Sequence, residues 1–274
     1  MLRYGDADLP DDGSTPAVTW AGAEHVDRVV LVATPSGGSI DALVQLVSGT
    51  KFSPIHSRYE AATLGTMPSI YQLLPRDRHG RTQPVAAFHE PGAAGVEPLA
   101  LFDLQTWKKH GWGLADTRPR AVRQLARLMP DTPEDRRPAA ALDHLEKCLD
   151  RARRFHAALD QAAALPDKIS LSLYAGDGVP THDVAYVNDR GRIVRFARTP
   201  GDGTVTRESA LMDERVGGVW SPHLVSPIDW TDVNFLFTDH IGLTADPVFA
   251  DNVLHLLLES PNRIDPADAA DVIP

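Results

Sequence analysis

Asp202 and His240 have the residue types and the chain order of an acid and a base that act together. Asp202 lies in the segment 201–205, GDGTV, where the glycines form a tight turn and let another side chain approach closely. His240 follows the apolar run 235–237 and precedes Ile241, so we expect it at the end of an element. A carboxylate that holds an imidazole in one tautomer allows that imidazole to take a proton from a hydroxyl nucleophile. The pair therefore indicates acyl-transfer chemistry with a serine, an aspartate and a histidine in that chain order.

Each of these two residues also has an alternative. The Asp-Gly pair of the acid segment fits an ordinary turn, and the histidine taken alone fits a structural role equally well. Asp177 follows another predicted strand and is the alternative acid, although the segment 176–180 leads into an extended hairpin and away from the histidine. His223, in a Ser-Pro-His loop, and His255, beside leucines on the last helix, are alternative bases that fit structural roles better.

The nucleophile is missing from this pattern. No G-x-S-x-G segment, which presents a serine between a strand and a helix, occurs in the chain. Ser36 lies between a predicted strand and a predicted helix, but the strained elbow needs a small residue two positions before the serine. Thr34 occupies that position, and Pro35 removes an N–H just before Ser36. We therefore predict a packing turn at Ser36. Cys148 lies in a helical pattern, so we predict that its thiol is inert.

Composition restricts the class of protein. The chain has 274 residues, enough to bury one full core, and we predict a single domain over residues 1–274. A net charge of −10 argues against nucleic acid or an anionic membrane surface as partners. One cysteine cannot form an internal disulfide, and neither a signal peptide nor a membrane span is predicted, so the sequence as given predicts a cytoplasmic protein. The histidines lack metal-ligand spacing, so neither a metal nor a cofactor is predicted.

Apolar patterns predict an α/β fold. The run 29–33 is β-branched and bounded by turn residues, which predicts a strand buried on both faces of a parallel sheet. Ser39 is the predicted cap of a helix that begins at Ile40. Further elements are a strand over 168–174, a hairpin of strands 184–187 and 193–196 around the turn 188–191, and a helix over 248–258.

A different pattern occupies the middle of the chain, from about residue 102 to residue 165. Trp107 and Trp112 lie in a polar stretch, and two helical patterns follow, the second of them longer. In an α/β enzyme such an insertion usually lies at the carboxyl edge of the sheet. We therefore predict that 102–165 forms a helical lid.

Several segments occur in the order typical of one family. Together they resemble the lecithin:cholesterol acyltransferase-like family of α/β-hydrolases, which contains acyltransferases and phospholipases. Spread over most of the chain, six such segments are fairly specific. They are Ala33-Thr34-Pro35 with Gly38-Ser39, the segments 67–75, 107–113, 174–181 and 201–205, and Asp239-His240 ahead of a terminal helix.

The resemblance implies a role for each part of the chain. Asp202 would be the acid and His240 the base of a catalytic triad, and the insertion 102–165 would cover a lipid-like acyl ester. The Thr-Pro segment and the segment 67–75 would be structural or would line the acyl pocket. Ser36 would not be the nucleophile, because the serine elbow of the family lies further toward the N-terminus.

The start of the chain departs from the family pattern. The segment 1–5 looks like the tail of the helix that follows the serine elbow, so we expect a partial α/β-hydrolase fold without the nucleophile strand. Such a sheet exposes an apolar edge, which a preceding segment or a partner chain would have to cover. A poorly folding remnant is the remaining possibility. The chain alone is expected to be inactive, and the alternative function is that of a non-catalytic binding protein on a hydrolase-derived fold.

Overall fold

Seven strands form two sheets in the computed structural model, which describes residues 1–51, 55, 57–76, 85–88, 97–213 and 225–259. The first sheet has the order β1-β4-β7 and is entirely parallel, and the second has the order β3-β2-β5-β6. The α/β class predicted from the sequence is therefore confirmed, whereas the second sheet was not expected. The strands are β1 Arg28–Val32, β2 Ala86–Phe88, β3 Glu97–Pro98, β4 Ser170–Gly176, β5 Val179–Val187, β6 Ile193–Gly201 and β7 Asp232–Leu236.

The strand β1 lies at the edge of the parallel sheet. It pairs with β4, with Val29 opposite Leu171 and Val32 opposite Tyr174, and its outer edge carries no strand in the part of the chain that the structure describes. All five residues of β1 are only partly buried. The prediction of a strand buried on both faces is therefore met only in part: both faces of β1 pack against helices, but none of its residues is fully buried.

Eight helices surround the sheets in the described residues. Ser39 caps α1 as predicted, because its hydroxyl accepts a hydrogen bond from the Asp41 N–H at 3.1 Å. The last helix also agrees with its prediction within one residue. The helices are α1 Ile40–Ser48, α2 Ala61–Leu64, α3 Pro68–Gln72, α4 Leu104–His110, α5 Pro119–Leu128, α6 Arg137–Leu159, α7 Arg207–Leu211 and α8 Pro247–Leu258.

The helical region α4 to α6 packs into the main core. Trp107 and Trp112 are fully buried, although the residues around them are polar, and their rings meet edge to face at 5.7 Å. Each indole N–H finds a carbonyl: Trp107 Nε1 donates to Leu101 O at 2.7 Å and Trp112 Nε1 to Gly191 O at 2.6 Å. The Trp112 bond anchors the region to the tip of the β5–β6 hairpin. Whether the region acts as a lid stays a prediction.

The parallel sheet has two different faces. Val30, Val32 and Tyr174 pack toward α8, whereas Leu31 and Leu173 pack toward α7 on the other side. This alternation follows from the two-residue period of a strand. No helix among the described residues has the length and apolarity that a membrane span requires.

Candidate functional site

Asp202 and His240 form a hydrogen-bonded pair. Nδ1 of His240 lies 2.8 Å from Oδ2 of Asp202, and the main-chain N–H of His240 donates to the carbonyl of Asp202, also at 2.8 Å. The Asp202 side chain is 1% exposed and the His240 side chain 32% exposed. An ionised carboxylate only accepts hydrogen bonds, so Nδ1 carries the proton and Nε2 carries the lone pair. The imidazole is thus oriented to act as a base.

A tight turn fixes the Asp202 carboxylate. Oδ1 accepts hydrogen bonds from the main-chain N–H groups of Thr204 and Val205 at 2.9 and 2.7 Å, which leaves Oδ2 for the histidine. Gly203 has φ +95°, a conformation that favours glycine, and its N–H donates to Thr181 Oγ1 at 2.8 Å. Both carboxylate oxygens are therefore paired, as a buried charge requires.

The pair lies at the carboxyl edge of the parallel sheet. The strand β4 ends at Gly176, and a Cβ atom there would lie 2.7 Å from both the Asp202 Cβ and the Thr238 carbonyl. Only glycine allows the acid segment and the histidine loop to meet over the end of β4. The carboxyl edge is also where open α/β sheets place their ligands.

The β5–β6 hairpin brings Asp202 to this edge. The chain leaves the parallel sheet at Gly176, runs out along β5, returns along β6 and ends that strand at Gly201. Gly201 packs against Thr181, whose Oγ1 would lie 2.5 Å from an added Cβ. The hairpin was predicted from its turn residues, and the structure shows that it is longer and that its base holds the acid.

The loop after β1 is hydrogen-bonded to the turn that holds Asp202, which is called the acid turn below. Ser39 Oγ donates to Thr204 O at 2.6 Å, and Ser209 Oγ donates to Gly38 O at 2.6 Å. The carbonyl of Ser36 accepts from the buried Arg76 guanidinium at 3.1 Å. This arrangement agrees with the predicted packing turn at Ser36. In the described part of the chain, no serine hydroxyl forms a hydrogen bond with His240.

The alternative residues lie elsewhere. Asp177 faces Arg207, with Oδ2 3.4 Å from Nη1, and forms no hydrogen bond with His240. His255 lies on the exposed side of α8, where Nδ1 is 3.1 Å from Glu259 Oε2, and His223 lies outside the described residues. Cys148 is buried on α6, and this burial raises the pKa of its thiol. A protonated, buried thiol is a poor nucleophile.

Sequence reasoning missed the residues that support the pair. Thr181 and Ser39 act on the acid turn from β5 and from the start of α1, and no local pattern signals either contact. It also missed a second aspartate–histidine contact, in which Nδ1 of His182 lies 3.2 Å from Asp41 Oδ1 while its ring stacks on Phe196 at 3.9 Å. That ring contact indicates a packing role.

Two apolar side chains flank the histidine. Phe237 is 91% exposed and Ile241 is 83% exposed, although both belong to the short segment that carries His240. Single exposed apolar residues are common, but here one lies on each side of a candidate base, so the surface beside that base is apolar.

The described residues contain no group of three or more histidine, cysteine, aspartate or glutamate side chains placed to hold a metal ion. Comparison of the chain with known protein families and with curated proteins gave no match.

Proposed function

We propose that this chain supplies the acid and the base of a serine hydrolase or acyltransferase that acts on a lipid-like acyl ester. One observation carries the proposal: the 2.8 Å contact between Asp202 Oδ2 and His240 Nδ1 at the carboxyl edge of a parallel sheet. The resemblance of six segments to the lecithin:cholesterol acyltransferase-like α/β-hydrolases supports the same reading. The helical region 102–165 would then cover the bound ester.

The chemistry follows from the orientation of the imidazole. Nε2 of His240 takes the proton of a serine hydroxyl while the serine oxygen attacks the ester carbonyl. The protonated imidazole, held by Asp202, returns that proton to the leaving alcohol as the acyl–oxygen bond breaks. Water or a second alcohol then takes the acyl group from the serine by the same steps in reverse.

We infer that the serine comes from polypeptide that contacts the outer edge of β1. No described serine hydroxyl meets His240, and the outer edge of β1 carries no strand among the described residues. A strand that pairs there would end beside the loop 33–39, at the same edge of the sheet as the pair. We propose that a preceding segment or a partner chain supplies it, and we expect the chain alone to be inactive because covalent catalysis needs the nucleophile.

The apolar surroundings support the substrate class. Phe237 and Ile241 expose apolar area on both sides of His240, which favours an acyl chain over a polar acyl group. The choice between hydrolysis and transfer depends on how far the completed site excludes water.

The product that carries this sequence, isolated from its native cells, tests the proposal. Its intact mass and N-terminal sequence are determined, and it is treated with a serine-reactive fluorophosphonate. We expect a labelled serine on polypeptide joined to or bound to this chain, at a total mass above 29.8 kDa. His240→Ala and Asp202→Ala should each abolish labelling, whereas His255→Ala, which changes an exposed histidine on α8, should leave labelling intact.

The contrary result defines the alternative function. A stably folded product of 29.8 kDa that no fluorophosphonate labels would overturn the hydrolase proposal. It would favour a non-catalytic binding protein built on this fold. Labelling of Ser36 would instead show a relocated nucleophile, against the packed position of its loop.

A further inference from the structure

A cavity of about 410 Å³ lies on one face of the parallel sheet, away from the Asp202–His240 pair. Its floor is formed by Val29 and Leu31 of β1 and by Leu171 of β4, and Phe155 of α6 forms one side. Val29 and Leu171 are register partners at the beginning of their strands, whereas Asp202 packs on the last residue of β4. The two sites are therefore at different ends of the sheet.

The walls of this cavity are mostly apolar. Trp20 and Trp230 line it together with the floor residues and with Phe155. A volume of a few hundred Å³ with aromatic and aliphatic walls and few polar groups is typical of sites for small apolar molecules. Filling such a space with hydrocarbon removes apolar surface from water on both partners.

One positive charge in the wall lacks a counter-charge. The Arg3 guanidinium donates to the carbonyls of Leu159 and Gln161 and lies 5.6 Å from the Trp20 ring, but no carboxylate of the described residues pairs with it. Its Nε–H is buried without a hydrogen-bond partner. Burial lowers the pKa of this guanidinium, which reflects the cost of keeping its charge away from water.

Each of the other charged side chains at the cavity has a partner within the chain. Arg151 forms an ion pair with Asp8, at 2.8 Å, and Asp229 accepts a hydrogen bond from the Leu165 N–H at 3.2 Å. Arg3 is thus the charged group of the cavity wall that an anion would neutralise. A planar guanidinium suits a carboxylate, which it binds through parallel hydrogen bonds.

We propose that this cavity binds a long-chain aliphatic carboxylate, with the carboxylate on Arg3 and the hydrocarbon chain along Val29, Leu31 and Leu171. The apolar floor selects the tail, and the cation without a counter-charge selects the anionic head. The inference does not depend on the ester chemistry of the Asp202–His240 pair, so either one can fail without the other.

Tryptophan quenching measures this binding directly. Dibromostearate quenches indole fluorescence at short range, and Trp20 and Trp230 line the cavity whereas Trp107 and Trp112 are buried in the helical region. We expect saturable quenching that palmitate reverses. Trp20→Phe and Trp230→Phe should each reduce the fluorescence intensity that is lost on saturation, while Trp107→Phe should leave that lost intensity unchanged.

Variants separate the head from the tail. Arg3→Gln should weaken the binding of dibromostearate by about tenfold, as expected for a lost charge-assisted bond. The same change should leave the binding of its methyl ester unchanged. Leu31→Phe should weaken both ligands by filling the cavity. Leu254→Phe, on the exposed side of α8, is the matched control and should change neither.

Three results with the isolated chain would overturn the proposal. They are quenching that does not saturate, equal effects of Leu31→Phe and Leu254→Phe, and equal affinity of the acid and its methyl ester for the unchanged chain. The same titration on the native product tests whether a polypeptide segment, and not a carboxylate, occupies the cavity. If a polypeptide segment fills the cavity there, dibromostearate fails to quench Trp20 and Trp230, and the proposal is wrong.

Discussion

Thr181 on β5 holds the turn that presents Asp202: its Oγ1 accepts a hydrogen bond from the Gly203 N–H at 2.8 Å and donates to Val179 O at 2.9 Å. The threonine is buried, and Gly201 makes room for it, because a Cβ atom at that position would lie 2.5 Å from Thr181 Oγ1. The acid of the candidate site is therefore positioned by a residue of the second sheet. A hydroxyl that both donates and accepts is needed there, and valine, although similar in shape, offers neither function.

Thr181→Val should release the acid turn. The change leaves the Gly203 N–H without its partner, which costs about 1–3 kcal/mol of the free energy of unfolding. We also expect the downfield proton resonance of the hydrogen-bonded His240 Nδ1–H to broaden or disappear. Thr181→Ser keeps the hydroxyl and should retain the resonance. If valine and serine give the same spectrum, the hydroxyl does not position the acid.

Ser39 has two separable roles, as helix cap and as donor to the acid turn. Ser39→Ala removes both and should lower the free energy of unfolding by about 1–2 kcal/mol. Ser39→Asp still caps α1 but has no proton to donate to Thr204 O, so it should recover only part of that loss. Denaturant titration measures both variants. An aspartate variant as stable as the unchanged chain would show that the bond to Thr204 contributes nothing.

Gly176→Ala should disturb the site by steric contact. Its new Cβ would lie 2.7 Å from the Asp202 Cβ and from the Thr238 carbonyl, both of which are held by neighbouring strands. We expect a loss of about 1–3 kcal/mol of stability, as in other overpacked cores, together with a changed His240 resonance. Gly13→Ala is the control: it places alanine at φ +78° with no atom within 4 Å, so it strains the backbone without touching the site. Equal effects in the two variants would contradict the steric account.

Cys148 should resist alkylation in the folded protein. Burial raises the pKa of its thiol, so the reactive thiolate forms only at a pH above the ordinary range of a free thiol. Iodoacetamide should modify the native chain slowly near neutral pH and quickly after unfolding in urea, as measured by intact mass. Rapid modification of the native chain with the pH dependence of a free thiol would show that Cys148 is neither buried nor shifted.

Local sequence signals predicted the parts of the site that lie close together in the chain. The Asp-Gly turn at Asp202, the cap at Ser39 and the hairpin that follows β4 each depend on a few adjacent residues, and each occurs in the structure. The position of His240 after an apolar strand was sufficient to place it at the end of an element.

Contacts between distant segments could not be predicted in the same way. Thr181 meets Gly203 across a hairpin, and Ser39 meets Thr204 from another helix, so no short pattern contains either pair. The burial of Trp107 and Trp112 was missed because their neighbours along the chain are polar. The apolar residues of β1 predicted a strand but not its degree of burial, because the burial of a strand depends on which segments lie beside it.

The bond from Trp112 to Gly191 makes the β5–β6 hairpin a connection between the helical region and the candidate site. The tip of the hairpin is hydrogen-bonded to the helical region, and its other end leads directly to Asp202. A rigid movement of α4 and its neighbours must either break the indole bond or pull on the strand that leads to Asp202. The helical region and the candidate acid thus share one hairpin, which each of them contacts at a different end.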